Sequence, residues 1–135
     1  MTNTIKALLS VVLALSCMLQ GCVLLAVGAG AAAGAGTVAY LRGELQTTYA
    51  ASLDQTWEAA QGALKDLNYR IVSSRRDDPE GEIEAKRIGD DTVKIHVMIS
   101  GPGTTLVKIR VGMFGDEEES RAINSNIASR LGVTL

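Results

Sequence analysis

Residues 92–113 restrict what this chain can fold into more than any other stretch. From Thr92 to Ser100, Val93, Ile95, Val97 and Ile99 alternate with Lys94, His96, Met98 and Ser100. From Thr105 to Met113, Val107, Ile109, Val111 and Met113 alternate with Leu106, Lys108 and Arg110. A period of two sends the sets to opposite faces of a strand, and no helix keeps such sets apart. Gly101-Pro102-Gly103 between the runs is turn chemistry and too short for a crossover. The two runs are therefore antiparallel neighbours with one apolar and one wet face, and the apolar face has to be covered.

The residues around this hairpin extend it. Tyr69–Ser74 and Glu82–Ile88 read as two further strands, bounded by Asp77-Asp78-Pro79-Glu80-Gly81 and Gly89-Asp90-Asp91. On the wet face Glu82, Glu84 and Lys86 would stand near Lys94, Lys108 and Arg110, where opposite charges pair across strands. Ser52-Leu53-Asp54-Gln55 matches a capping box and opens a helix whose stripe is Leu53, Trp57, Ala60, Leu64 and Leu67, stopped by Asn68. Asp116, followed by Glu117, Glu118 and Glu119, caps a second helix with Ile123, Ile127 and Leu131 as its stripe and Gly132 as its stop. The expected domain, residues 46–135, is an α+β two-layer sandwich of order αββββα, a four-stranded antiparallel meander with two helices on one face.

The N-terminal part has a different character. Lys6 precedes an uncharged apolar run, Ala7 to Leu19, too short to cross a bilayer and laid out like a secretory signal peptide over residues 1–21. Leu19-Gln20-Gly21-Cys22 resembles a bacterial lipobox, with Gln20 departing from the small or branched residue usual there. Cleavage before Cys22 would leave that cysteine acylated, and Cys17 would depart with the signal. The mature chain would then have no thiol pair for a disulfide. Val23, rather than Asp, follows the cysteine, which resembles the lipoproteins passed on to the outer membrane.

Residues 22–45 carry a Gly/Ala-rich segment with Gly28, Gly30, Gly34 and Gly36. A dinucleotide-binding reading fails because such glycines must follow a sheet strand and open a helix. Two readings remain: a tether that spaces the domain from the bilayer, or a glycine-zipper helix whose small residues let protomers pack in the membrane as a homo-oligomer.

Candidates for chemistry are few. The single histidine, His96, falls on the wet side of its strand; Asp77 and Asp78 are explained by their turn, and Asp116 to Glu119 by helix capping. Trp57 sits in a core stripe. With 13 Lys+Arg against 15 Asp+Glu, scattered along the chain, there is no footprint for nucleic acid. The expectation is a protein without catalytic residues, cofactor or metal.

The stretches "GAGTVAYLRGEL" (34–45), "TYAASLDQTWEAA" (48–60) and "VKIRVGMFGDEEESRAI" (107–123) resemble the small proteobacterial lipoproteins of the Domain of Unknown Function 3568 family, DUF3568. The resemblance implies a lipoprotein and assigns a role to Cys22 alone, as the lipidated residue. The layout is also similar to the helix-grip modules of outer-membrane assembly lipoproteins, an analogy of fold. The expected protein is lipid-anchored in the envelope of a Gram-negative bacterium, at the outer membrane and facing the periplasm, and binds another envelope protein. The alternatives are a structural oligomer built by the glycine segment, or a binder of a small hydrophobic ligand between helices and sheet.

Overall fold

The computed structural model describes residues 37–89 and 91–135. Six strands, β1 (Val38–Leu41), β2 (Glu44–Tyr49), β3 (Arg70–Asp77), β4 (Glu80–Lys86), β5 (Val93–Gly101) and β6 (Thr104–Val111), form one sheet in the order β1-β2-β6-β5-β4-β3. Every neighbouring pair is antiparallel. Two helices, α1 (Leu53–Asp66) and α2 (Glu117–Leu131), complete the α+β fold.

The four-stranded αββββα meander is thus corrected to a six-stranded ββαββββα sheet. The additional hairpin occupies residues 38–49, part of which reads as spacer from sequence. Its signal is weak because β2 places Leu45, Thr47 and Tyr49 inward, so one of three core positions is a threonine. β1 has only four residues and sits at the sheet edge. Pairing with β6, with Leu45 opposite Ile109 and Thr47 opposite Val107, recruits the hairpin into the sheet.

The helix ends follow the expected chemistry. Ser52 and Gln55 make both bonds of the capping box, satisfying backbone NH groups at the start of α1. Asn68, beyond its C-terminus, has φ +61°, the left-handed state asparagine tolerates best after glycine. In α2 the Asp116 carboxylate accepts from Glu119 N at 3.0 Å, and Gly132 closes the helix with φ +71°.

The core lies between the sheet and the helices. Leu45, Ile83, Val93, Ile95, Val97, Val107 and Ile109 are fully buried on the sheet, facing Leu64 of α1 and Ile123 and Ile127 of α2. Trp57 packs so closely on Gly81 that any Cβ there would overlap its six-membered ring. Polar links also tie the layers, two of them made by tyrosines. Tyr49 OH donates to Asn124 Oδ1 at 2.6 Å inside the core, and Tyr69 OH donates to Glu119 Oε1 at 2.7 Å. Arg130 of α2 lies across Gly62 of α1 and bonds Asp66 with both Nε and Nη2, clasping the helices.

Two core assignments are overturned. Ile99 is half exposed because the β5–β6 register shifts between Ile99 and Gly101 as the hairpin turns. Met113 is exposed because β6 ends at Val111 and Gly112, at φ +70°, turns the chain away from the core.

Candidate functional site

The side of the sheet opposite the helices is open, and strand register arranges its side chains in rows. One row runs Ser73, Glu84, Lys94 and Arg110 across β3, β4, β5 and β6, with Glu44 of β2 beside Arg110. The next runs Arg75, Glu82, His96, Lys108, Gln46. β4 therefore supplies a column of carboxylates, Glu80, Glu82 and Glu84, beside cationic side chains from β5 and β6. Lys94 faces Arg110 directly, and His96 faces Lys108. The like charges of Lys94 and Arg110 oppose pairing by a few tenths of a kcal/mol. The apolar inner face of the same strands supplies the larger, compensating term.

The cations differ in how they are held. Arg110 is built in: Nη2 donates to Arg42 O at 2.7 Å, Nη1 to Met113 O at 3.3 Å, and Nε faces Glu44 Oε1 at 3.6 Å. His96 Nε2 lies 3.3 Å from Glu80 Oε2. Among the described residues, neither Lys94 nor Lys108 has a carboxylate within 4 Å. A depression of about 210 Å³ lies over Lys94, His96, Lys108 and Arg110, walled by Glu44 and Glu82. Such a surface can bind a ligand of patterned charge. Among the described residues, Ser74 accepts from Gln61 Nε2 and Ser100 donates to Thr104 Oγ1, so neither hydroxyl is paired with His96.

Sequence-derived candidates take the following positions. His96 is on the open face, as expected from alternation. Asp77 ends β3 and Asp78 pairs with Arg76 at the turn. Asp116 caps α2, and Glu117 binds Arg121 one turn on. Trp57 is in the core. Cys22 and the glycines Gly28, Gly30, Gly34 and Gly36 lie outside the described residues. Among the described residues, no three His, Cys, Asp or Glu side chains are grouped to hold a metal, and no helix is long and apolar enough to cross a membrane.

Sequence reasoning missed a second surface at one end of the sheet. Leu41, Ile88, Met113 and Phe114 are all exposed there. The signal available was Met113-Phe114 between Gly112 and Gly115, two large apolar residues bracketed by turn formers.

Comparison with known proteins adds a family and little else. A solved structure, CalU16 from Micromonospora echinospora, is similar at 13% identity with a TM-score of 0.30, covering 67% of this chain and 86% of that one. No curated protein matches the sequence. The family model described as Protein of unknown function (DUF3568) matches residues 6–130, nearly the whole sequence, and the chain belongs to that family.

Proposed function

We propose that this chain is a non-enzymatic lipoprotein, held at the outer membrane by acyl groups on Cys22, whose folded part binds another envelope protein. The observation that carries the reading is the apolar run Ala7–Leu19 followed by Gln20-Gly21-Cys22. The charge pattern of the open sheet face supports the binding half. A carboxylate column on β4 beside Lys94 and Lys108, which among the described residues have no carboxylate within 4 Å, suits a partner segment with acidic groups over β5 and β6 and basic groups over β4. Arg110 stiffens this face through its bonds to two backbone carbonyls, so little order has to be gained on binding.

Two experiments test the two halves. A clickable palmitate analogue should label the protein in cells and should not label Cys22→Ala; an unlabelled parent removes the anchor. For the partner, the acylated chain is cross-linked in whole envelopes and compared with Lys94→Glu/Lys108→Glu. Cross-linked species should fall at least tenfold in the charge-reversed variant, and equal yields would remove the open face as the binding surface.

A further inference from the structure

The end of the sheet carrying Leu41, Ile88, Met113 and Phe114 is built to display them. Leu41 closes β1, Ile88 lies in the β4–β5 connection, and Met113 and Phe114 follow β6. Ile88 is fully exposed, Phe114 89% exposed, Met113 81% and Leu41 55%. Each tip stands by a glycine in the left-handed region: Gly43 (φ +80°), Gly89 (φ +83°), Gly112 (φ +70°) and Gly115 (φ +83°). These glycines bend the chain sharply, so the tips point out of the fold.

The connections are tied to one another. Gly112 N donates to Thr92 O at 2.9 Å, joining the β4–β5 connection to the segment after β6. Arg110 donates to Arg42 O and Met113 O, joining that segment to the β1–β2 turn. Gly43 and Gly115 lie back to back, with no room for a side chain between them. Strand order places the β1–β2 turn, the end of β6 and the β4–β5 connection in a line along the sheet edge. The opposite end carries the polar turns at Asp78-Pro79 and Pro102-Gly103 with half-exposed Ile99, and α2 ends at Leu131 beside Ala50 and Ala51, followed by half-exposed Leu135.

We infer that this apolar end enters the surface of the lipid bilayer, so that the sheet stands on the membrane with its strands upright. The tips are separate convex points, which a fluid bilayer receives without a matching pocket. Arg42, beside Leu41, can lift its guanidinium to the headgroup phosphates while its stem follows the tip inward. The exposed Asp91 carboxylate lies over Gly112.

Lipid is favoured as occupant by the length and origin of the preceding chain, and in this the inference rests on the acylation of Cys22. Residues between Cys22 and Thr37 reach roughly 50 Å when extended. The strands of the central hairpin, at about 3.3 Å per residue, are shorter than that. Either end of the sheet lies within that chain length of Cys22, and among the described residues the most exposed large apolar side chains, Ile88, Phe114 and Met113, are gathered at one of them.

The test uses the full chain purified in detergent and reconstituted into vesicles of phosphatidylethanolamine and phosphatidylglycerol with brominated acyl chains. The variant F114W adds a tryptophan at the apolar end, D78W one at the polar end, and buried Trp57 supplies the parent background. The added emission of F114W should shift to the blue and lose more than half its intensity to bromine, while that of D78W stays unquenched. Circular dichroism of both variants should match the parent. Equal, weak quenching of the two overturns the inference, whether or not the protein is acylated. Mass measurement of the same sample separates the two readings: quenched F114W on an unacylated chain leaves the lipid contact standing and removes only the anchor.

Discussion

The central β5–β6 hairpin and the β1–β2 hairpin meet along β6. β6 pairs with β5 on one side and with β2 on the other, and β2 in turn carries β1 at the edge. The β5–β6 hairpin is lined by β-branched side chains, Val93, Ile95 and Val97 against Val111, Ile109 and Val107, all at least nine-tenths buried. The β1–β2 hairpin offers Leu45, Thr47 and Tyr49, with partly buried Val38 and Tyr40 beside them. It replaces aliphatic burial with specific polar and backbone devices: the Tyr49–Asn124 bond, the Arg110 clamp on Arg42 O, and the glycine pair Gly43 and Gly115. One hairpin is held by area, the other by fit.

That contrast can be broken at several points. The largest effect is expected from Ile109→Ala, since Ile109 is fully buried on β6 between Leu45 and Ile95 and serves both hairpins. Stability in urea should fall by about 3–4 kcal/mol, the range for a well-packed core cavity. A loss below 1 kcal/mol would mean that the shared strand is not the centre of the core.

Next comes Gly43→Ala, which places a Cβ against the Phe114 backbone at a positive φ. We expect a loss of about 2 kcal/mol. Hydrogen exchange should quicken at β1 and β2 while β5 amides keep their protection, and uniform quickening would show that the hairpins do not open separately.

Tyr49→Phe removes the hydroxyl that donates to Asn124 and should lose about 1–2 kcal/mol. Burial holds the Tyr49 phenol well above its ordinary value near 10. The folded state therefore keeps its proton at pH values where the unfolded state has lost it, and the contribution of this group is complete below pH ~10 and falls as pH rises further. Subtracting the Tyr49→Phe profile from the parent should leave a decline that begins near pH 10; a flat difference would place Tyr49 in water.

Thr47 is buried with Oγ1 unpartnered among the described residues. Thr47→Val should therefore raise stability by about 0.5–1 kcal/mol in a melting experiment, bringing the edge hairpin closer to the composition of the central one. A decrease would reveal a bond to that hydroxyl. The smallest change is expected from Lys94→Gln, which relieves the like charge opposite Arg110 and should add a few tenths of a kcal/mol at low salt, vanishing at high salt.

The same contrast explains which parts were legible in the residues. Ser52, Gln55, Asn68, Asp116 and Gly132 mark helix ends through bonds or backbone states within a few positions, so their roles could be read directly. The alternation in 92–113 needed only its period and a turn. Thr47 was misleading because a threonine counts as polar until the strand beside it is known, and the Gly/Ala run before Val38 concealed the start of β1. Ile99 and Met113 followed the correct period and still lie outside the core, because the period does not say where the helix layer stops.

The functional reading divides along similar lines. Cys22 is legible as a motif and owes nothing to the fold. The column of Glu80, Glu82 and Glu84 beside Lys94 and Lys108 was half legible, since the alternation assigns the face but register sets the neighbours.

By itself, the sequence determined the central hairpin, the two helices with their caps, and the apolar run ending at Cys22, because period, turn and cap chemistry act between residues close along the chain. The tertiary structure alone decided that residues 38–49 join β6 and that Leu41, Ile88, Met113 and Phe114 come to one end of the sheet. Those outcomes depend on hydrogen bonds and packing between segments distant in sequence, and only the whole sheet, once closed against its helices, sets which of them form.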